Sequence, residues 1–177
     1  RHHVEAIYQQ RYWNAVRGDM LPSGYDACMF DYAVNSGPGR ALQHDKAISP
    51  TLGGPARIKA LCARRMAFLR GLKTFSVFGK GWTQRVTSLE AFCLRLAGLS
   101  PSELKAEAAR ASTKARANAG AAAGAATTSA AVPQADYSAW FAGGVFLLIA
   151  VAFGILAFKA WQQNERRKAL LKEAGAS

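Results

Sequence analysis

The chain has 177 residues, half of them hydrophobic, and 23 Lys+Arg against 11 Asp+Glu give it a net charge of +12. That length fits one domain of about 100–150 residues plus further segments, and a charge this basic favours polyanions such as nucleic acid, anionic lipid or an acidic wall polymer. Three cysteines and three histidines, none in a CxxC or Cys/His cluster, argue against a zinc site, and no other metal or cofactor is indicated.

Residues 1–100 read as an all-α domain. Val4, Ile7, Tyr8 and Tyr12 fall at helical spacing ahead of Gly18 and predict a first helix. Leu21-Pro22-Ser23-Gly24 is a turn, with Ser23 placed to cap the helix that follows. That second helix ends at Gly37, a residue suited to the position just past a helix, and Pro38 starts another. Gly53-Gly54-Pro55 opens a long helix with an apolar stripe of Ile58, Leu61, Cys62, Met66 and Leu69. Arg57, Lys59, Arg64 and Arg70 mark its wet face, and the pair Arg64-Arg65 reads as solvated. Gly79 to Gly81 are expected to interrupt the chain. A last helix carries Trp82, Val86, Leu89, Phe92, Cys93 and Leu96 up to Gly98. Each cysteine sits among apolar residues, as core residues do, and a Cys62–Cys93 bridge stays open in an oxidising compartment.

Residues 101–136 differ in kind. Half of Ala106–Ala135 is alanine, and no large apolar side chain occurs between Leu104 and Val132, so the stretch reads as an Ala-rich linker. Its charged first half suits a helix, while Gly120–Ser129 is expected to be loose. Residues 137–158 carry no charge, and Tyr137, Trp140 and Trp161 flank the stretch, which predicts a transmembrane helix over 137–161. The basic tail, 162–177, then places the C-terminus in the cytoplasm by the positive-inside rule. The expected localisation is the bacterial inner membrane, with a single span in the lipid bilayer and a periplasmic helical domain.

Within Cys28–Gly37, Asp31 stands alone among apolar neighbours. An isolated buried carboxylate is costly, so it must be paired, hydrogen-bonded or protonated. Asn35 lies one turn later on the same face, with Ser36 and Arg40 close behind. Two readings fit: a polar groove beside a central helix, or a structural network in which Asp31 meets a core arginine or tyrosine. Tyr12 and Trp13, with Tyr8, form an aromatic cluster that either fills a core or stacks on sugar rings. Phe78-Gly79-Lys80-Gly81-Trp82 lacks the spacing of a phosphate loop and reads as a turn. No recognition-helix pattern supports specific nucleic-acid binding.

The stretch IYQQRYWNAVRGDMLPSGYDACMFDYAVNSGPGRALQ, residues 7–43, resembles the glycoside hydrolase family 108 domain in its RYW, its D-x-L-P-x-G turn and its F-D-x-A-V-N-S-G block. The resemblance continues through RMAFLRGLKTFSVFGKGWTQRV, residues 65–86. It implies a lysozyme-like helical fold and hydrolysis of the β-1,4 bond after N-acetylmuramic acid in peptidoglycan, as in endolysins and related muramidases. It places Asp31, Asn35 and Ser36 near the sugar cleft, and Tyr12, Trp13 and Arg40 join them as candidate substrate-binding residues. The family's catalytic acid is a glutamate in an E-G-G-Y motif. No such tetrad occurs in the 177 residues, and Glu5 lies too late to be that residue, so no catalytic residue is assigned in this chain. Arg1 in place of Met, and an opening inside a helical pattern, give the expectation of a piece of a longer protein whose domain has lost its N-terminal part. Two functions are therefore carried: part of a membrane-tethered peptidoglycan hydrolase serving lysis, particle release or secretion, and an inactive membrane-anchored peptidoglycan-binding module.

Overall fold

The computed structural model describes residues 2–129 and 157–175. Every regular element among them is helical. α1 (His2–Tyr8) runs directly into a wider π-helical turn, Gln9–Trp13, and a tighter 3-10 turn, Asn14–Val16. Arg17, left-handed at φ 56°, reverses the chain into a second 3-10 turn, Gly18–Met20. Then follow α2 (Tyr25–Ser36), α3 (Pro38–Lys46), α4 (Gly54–Arg70), α5 (Phe75–Leu96) and α6 (Pro101–Ser129). A last helix, α7, covers residues 157–173.

α2 is the central element. It packs on α3, α4 and α5, and its Tyr25, Cys28, Met29, Tyr32 and Ala33 are buried. From α4 come Ile58, Leu61, Cys62, Met66 and Leu69, the whole expected stripe, and from α5 Val86, Cys93 and Leu94. Each large aliphatic side chain buried this fully contributes about 1.5–3 kcal/mol. The three cysteines come from three helices into this core. All are free thiols, and the contact is Cys28 Sγ to Cys62 Sγ at 3.5 Å.

Polar links hold α3 on the other side of α2. The Tyr25 hydroxyl donates to Asp45 at 2.5 Å, and Arg57 donates to the same carboxylate at 2.8 Å, joining α2, α3 and α4. The Arg57 guanidinium also lies 4.2 Å above the Tyr25 ring. Two turns further along α2, the Tyr32 hydroxyl meets His44 Nδ1 at 3.0 Å.

Three local expectations are corrected. Ser23 does not cap α2. Its hydroxyl donates to the Leu96 carbonyl at 3.0 Å, and the capping position falls to Gly24, at φ 82°. A Cβ there would lie 2.2 Å from the Cys93 carbonyl, so the start of α2 crosses α5 where only glycine fits. Gly79 to Gly81 do not break the chain, since α5 begins at Phe75 and runs through them. The Phe75 ring lies over Gly79, 2.8 Å from where a Cβ would stand, and that packing offsets the poor helix propensity of glycine. Arg65 is not solvated. It is 3% exposed, on the buried side of α4.

The chain divides into two units, 1–106 with 169–177, and 107–168. In the first, Leu104 and Leu170 are fully buried, and Arg95 Nε donates to Glu173 at 2.6 Å. In the second, Glu107 accepts from Arg110 at 2.6 Å and pairs with Arg166 at 3.5 Å. Gly120–Ser129, expected to be loose, belongs to α6.

The expected transmembrane helix over 137–161 does not stand. Among the described residues no helix is long and apolar enough to cross a membrane. Residues 137–156 of the anticipated stretch lie outside the described residues. The described end of that stretch, residues 157–161, belongs to α7 and includes Lys159. Within the first unit the expected tail contacts the helical domain through the Arg95–Glu173 pair. The inner-membrane placement, with a cytoplasmic C-terminus and a periplasmic domain, is corrected on the same grounds.

Candidate functional site

Asp31 lies at the middle of α2, on the side that faces α4 and α5. Its side chain is 17% exposed, and both carboxylate oxygens are taken. Arg65 of α4 donates to Oδ2 at 2.7 Å, and Arg85 of α5 donates to Oδ1. The two arginines differ in setting. The Arg65 side chain is 4% exposed and the Arg85 side chain 52%. Arg65 also lies 5.0 Å from the Tyr32 ring centroid. Asp31 thus clamps three helices together and fixes the direction of two guanidiniums.

Above this clamp opens a cleft of about 290 Å³. Asn35, Ser36 and Arg40 line it. Arg65 and Arg85, with Phe68, Leu72, Trp82 and neighbouring aliphatics, form the rest of the lining. Asn35 Nδ2 donates to the Asp31 carbonyl at 2.7 Å, which anchors the amide at the last turn of α2. Gly37, at φ 85°, then ends the helix and lets α3 leave sharply enough for Arg40 to return over α4. The Arg40 guanidinium sits 4.0 Å above the Phe68 ring, a cation–π contact that holds a long side chain in place. Trp82 stacks obliquely on Phe78 at 5.7 Å, and Phe78 is 54% exposed, so an aromatic shelf runs outward from α5.

Local electrostatics are dominated by arginine. His44, beneath Phe68, is held below the ordinary histidine range by burial first, then by Arg40 and Arg64. Burial pushes the Tyr32 phenol up to about 12, with Arg65 and Arg40 pulling the other way. Among the described residues no group of three or more His, Cys, Asp or Glu side chains could hold a metal.

Of the residues singled out in sequence, Asn35, Ser36 and Arg40 line the cleft, and Asp31 lies under it. Tyr12 and Trp13 are elsewhere. Tyr12 packs on Tyr8 at 5.5 Å, and Trp13 packs edge-on against Phe30 at 5.7 Å. The Trp13 indole N–H donates to Asp19 at 2.9 Å. Sequence reasoning missed Arg65, Arg85, Phe68 and Trp82. One signal pointed to Arg65. It falls between Cys62 and Met66 on the apolar stripe, where an arginine is buried and therefore needs an acid.

The family model described as Glycosyl hydrolase 108 matches residues 1–37, a segment that includes Asp31, Asn35 and Ser36. Among solved structures, one titled "Structure of Brucella abortus SagA" matches with a TM-score of 0.53 and 35% sequence identity, covering 56% of this chain and 67% of that one. A search of curated proteins gives no match.

Proposed function

Since the chain belongs to the glycosyl hydrolase 108 family, we propose that it is part of a peptidoglycan hydrolase, an N-acetylmuramidase acting on β-1,4 bonds, whose glycan lies along the α2–α4–α5 cleft. The observation that carries this reading is the make-up of the cleft. Aromatic side chains, Phe68 and Trp82, line it together with the amide, hydroxyl and guanidinium groups of Asn35, Ser36 and Arg40. Sugars need both kinds of surface, because a pyranose ring has an apolar face and a rim of hydroxyls and acetamido groups.

Asp31 is a positioning residue in this scheme. A retaining or inverting glycosidase needs a carboxylic acid to protonate the leaving oxygen. Both Asp31 oxygens are engaged by arginines, so neither is left for that task. The 177 residues contain no E-G-G-Y tetrad, and that fact supports a second reading, a module that binds glycan without cutting it.

Incubation of the protein, expressed with any coding sequence that precedes Arg1, with purified sacculi separates the two. The bound fraction is read by co-sedimentation, and new reducing ends by muropeptide analysis after borohydride reduction. Binding with reducing N-acetylmuramic acid ends supports the hydrolase. Binding without them supports the module. Failure to bind sacculi overturns the peptidoglycan reading.

A further inference from the structure

The cleft carries more positive charge than a neutral sugar requires. Three guanidiniums line it, from Arg40, Arg65 and Arg85, and the carboxylate they meet among the described residues is that of Asp31. Arg65 and Arg85 each give one N–H group to Asp31, whereas no carboxylate pairs with Arg40 among the described residues. Arg40 is exposed, and the Phe68 ring holds it at the cleft wall. Arg85 is half-exposed and already oriented by Asp31, with further N–H groups left to donate. Two cations fixed beside one cleft form a receptor for an acidic group, and the usual cost of ordering long side chains has been met in the fold.

Resting on the peptidoglycan reading, we infer that this is a carboxylate-reading cleft in which Arg40 and Arg85 recognise the acid carried on the O3 substituent of an N-acetylmuramic acid unit. Asn35, Ser36 and Trp82 hold the sugar itself. The cleft therefore selects acid-bearing glycan over the neutral polymer of N-acetylglucosamine. Two sources supply that carboxylate in the wall. One is the lactyl acid of a denuded muramyl unit. The other is the stem peptide, whose first amide bond consumes the lactyl acid but adds carboxylates of its own.

The test is equilibrium binding of the 177-residue chain to four soluble glycans of matched length. They are peptide-bearing glycan, denuded glycan with free lactyl acid, the same denuded glycan with its acid amidated, and a chitooligosaccharide. One or both acidic glycans should bind about tenfold more tightly than the two neutral ones, the effect of one charge-assisted hydrogen bond. The preference should shrink as salt rises. R40M should collapse it, and because Arg40 makes no ion pair among the described residues, that substitution leaves the Asp31 clamp in place. Tighter binding of peptide-bearing glycan alone assigns the stem carboxylates, and equal or tighter binding of the denuded acid assigns the lactyl group. Equal binding of acidic and neutral glycans, unchanged in R40M, overturns the inference and leaves the peptidoglycan reading standing. No binding of any of the four overturns both.

Discussion

Replacing Asp31 by asparagine isolates the clamp beneath the cleft. The D31N side chain keeps the volume and one acceptor oxygen but removes the charge that two guanidiniums share. The cost falls unequally. The Arg65 side chain, 4% exposed, is left as a buried cation without its counter-charge, a change that typically costs about 3–5 kcal/mol. The Arg85 side chain, 52% exposed, can turn to water, and its share is about 1 kcal/mol or less. Because asparagine still offers an acceptor to Arg65, the lower end applies, about 3 kcal/mol in all. A domain slightly over 100 residues shifts its Tm by about 4 °C per kcal/mol, so D31N should melt ~12 °C lower. R85M should move it by only a few degrees. The double variant D31N/R65M should recover most of the loss, because exchanging both buried partners for neutral or apolar groups is often close to neutral. Circular dichroism at 222 nm, in thermal and urea unfolding, measures all four proteins. If D31N is no less stable than R85M, or if R65M adds to the D31N loss instead of offsetting it, the clamp reasoning is wrong.

Gly24→Ala should destabilise by about 2–5 kcal/mol in the same unfolding assay, since it combines a left-handed backbone with a methyl group driven into the Cys93 carbonyl; a change under 1 kcal/mol would show that α2 and α5 can move apart there. Tyr32 favours its neutral form in the fold, so its contribution is complete below pH 10 and disappears as pH rises through about 12, and Y32F should flatten the alkaline limb of the stability profile. His44 has the opposite sign. Its folded pKa lies below the ordinary 6.5, so its contribution is present above that pH and is lost as pH falls through the folded value. Imidazole NMR titration should place the midpoint below 6.5, and R40M should raise it; a midpoint unmoved by R40M would mean that the two side chains do not sense each other.

Much of the helical layout was legible along the chain because it depends on local chemistry. Pro38 and Gly53-Gly54-Pro55 opened helices where expected, and Gly37 closed α2. The 3.6-residue stripe of α4 named its buried residues correctly, apart from Arg65. Other expectations failed on contacts that spacing does not show, some of them between residues distant in sequence. Ser23 looked like a cap because its sequence neighbours suit one, but its hydroxyl partner is Leu96, on another helix. Gly79 and Gly81 looked like a break because their propensity is poor, but α5 runs through both, and the Phe75 ring one turn earlier packs over Gly79.

Sequence alone determined that Asp31 needed a partner, because a carboxylate among apolar neighbours is costly wherever the fold places it. It also brought Asn35, Ser36 and Arg40 under consideration by their spacing. It could not tell which of the candidate arginines answered Asp31, since Arg65 and Arg85 lie 34 and 54 residues away. Only the packing of α4 and α5 against α2 chose them. That choice turned a buried acid into a clamp, set Arg85 at the cleft beside Arg40, and left Tyr12 and Trp13 packed on the far aromatic cluster with Tyr8 and Phe30. The physical reason is that a helix face is written in local periodicity, whereas the partner of a buried charge is decided by which faces meet.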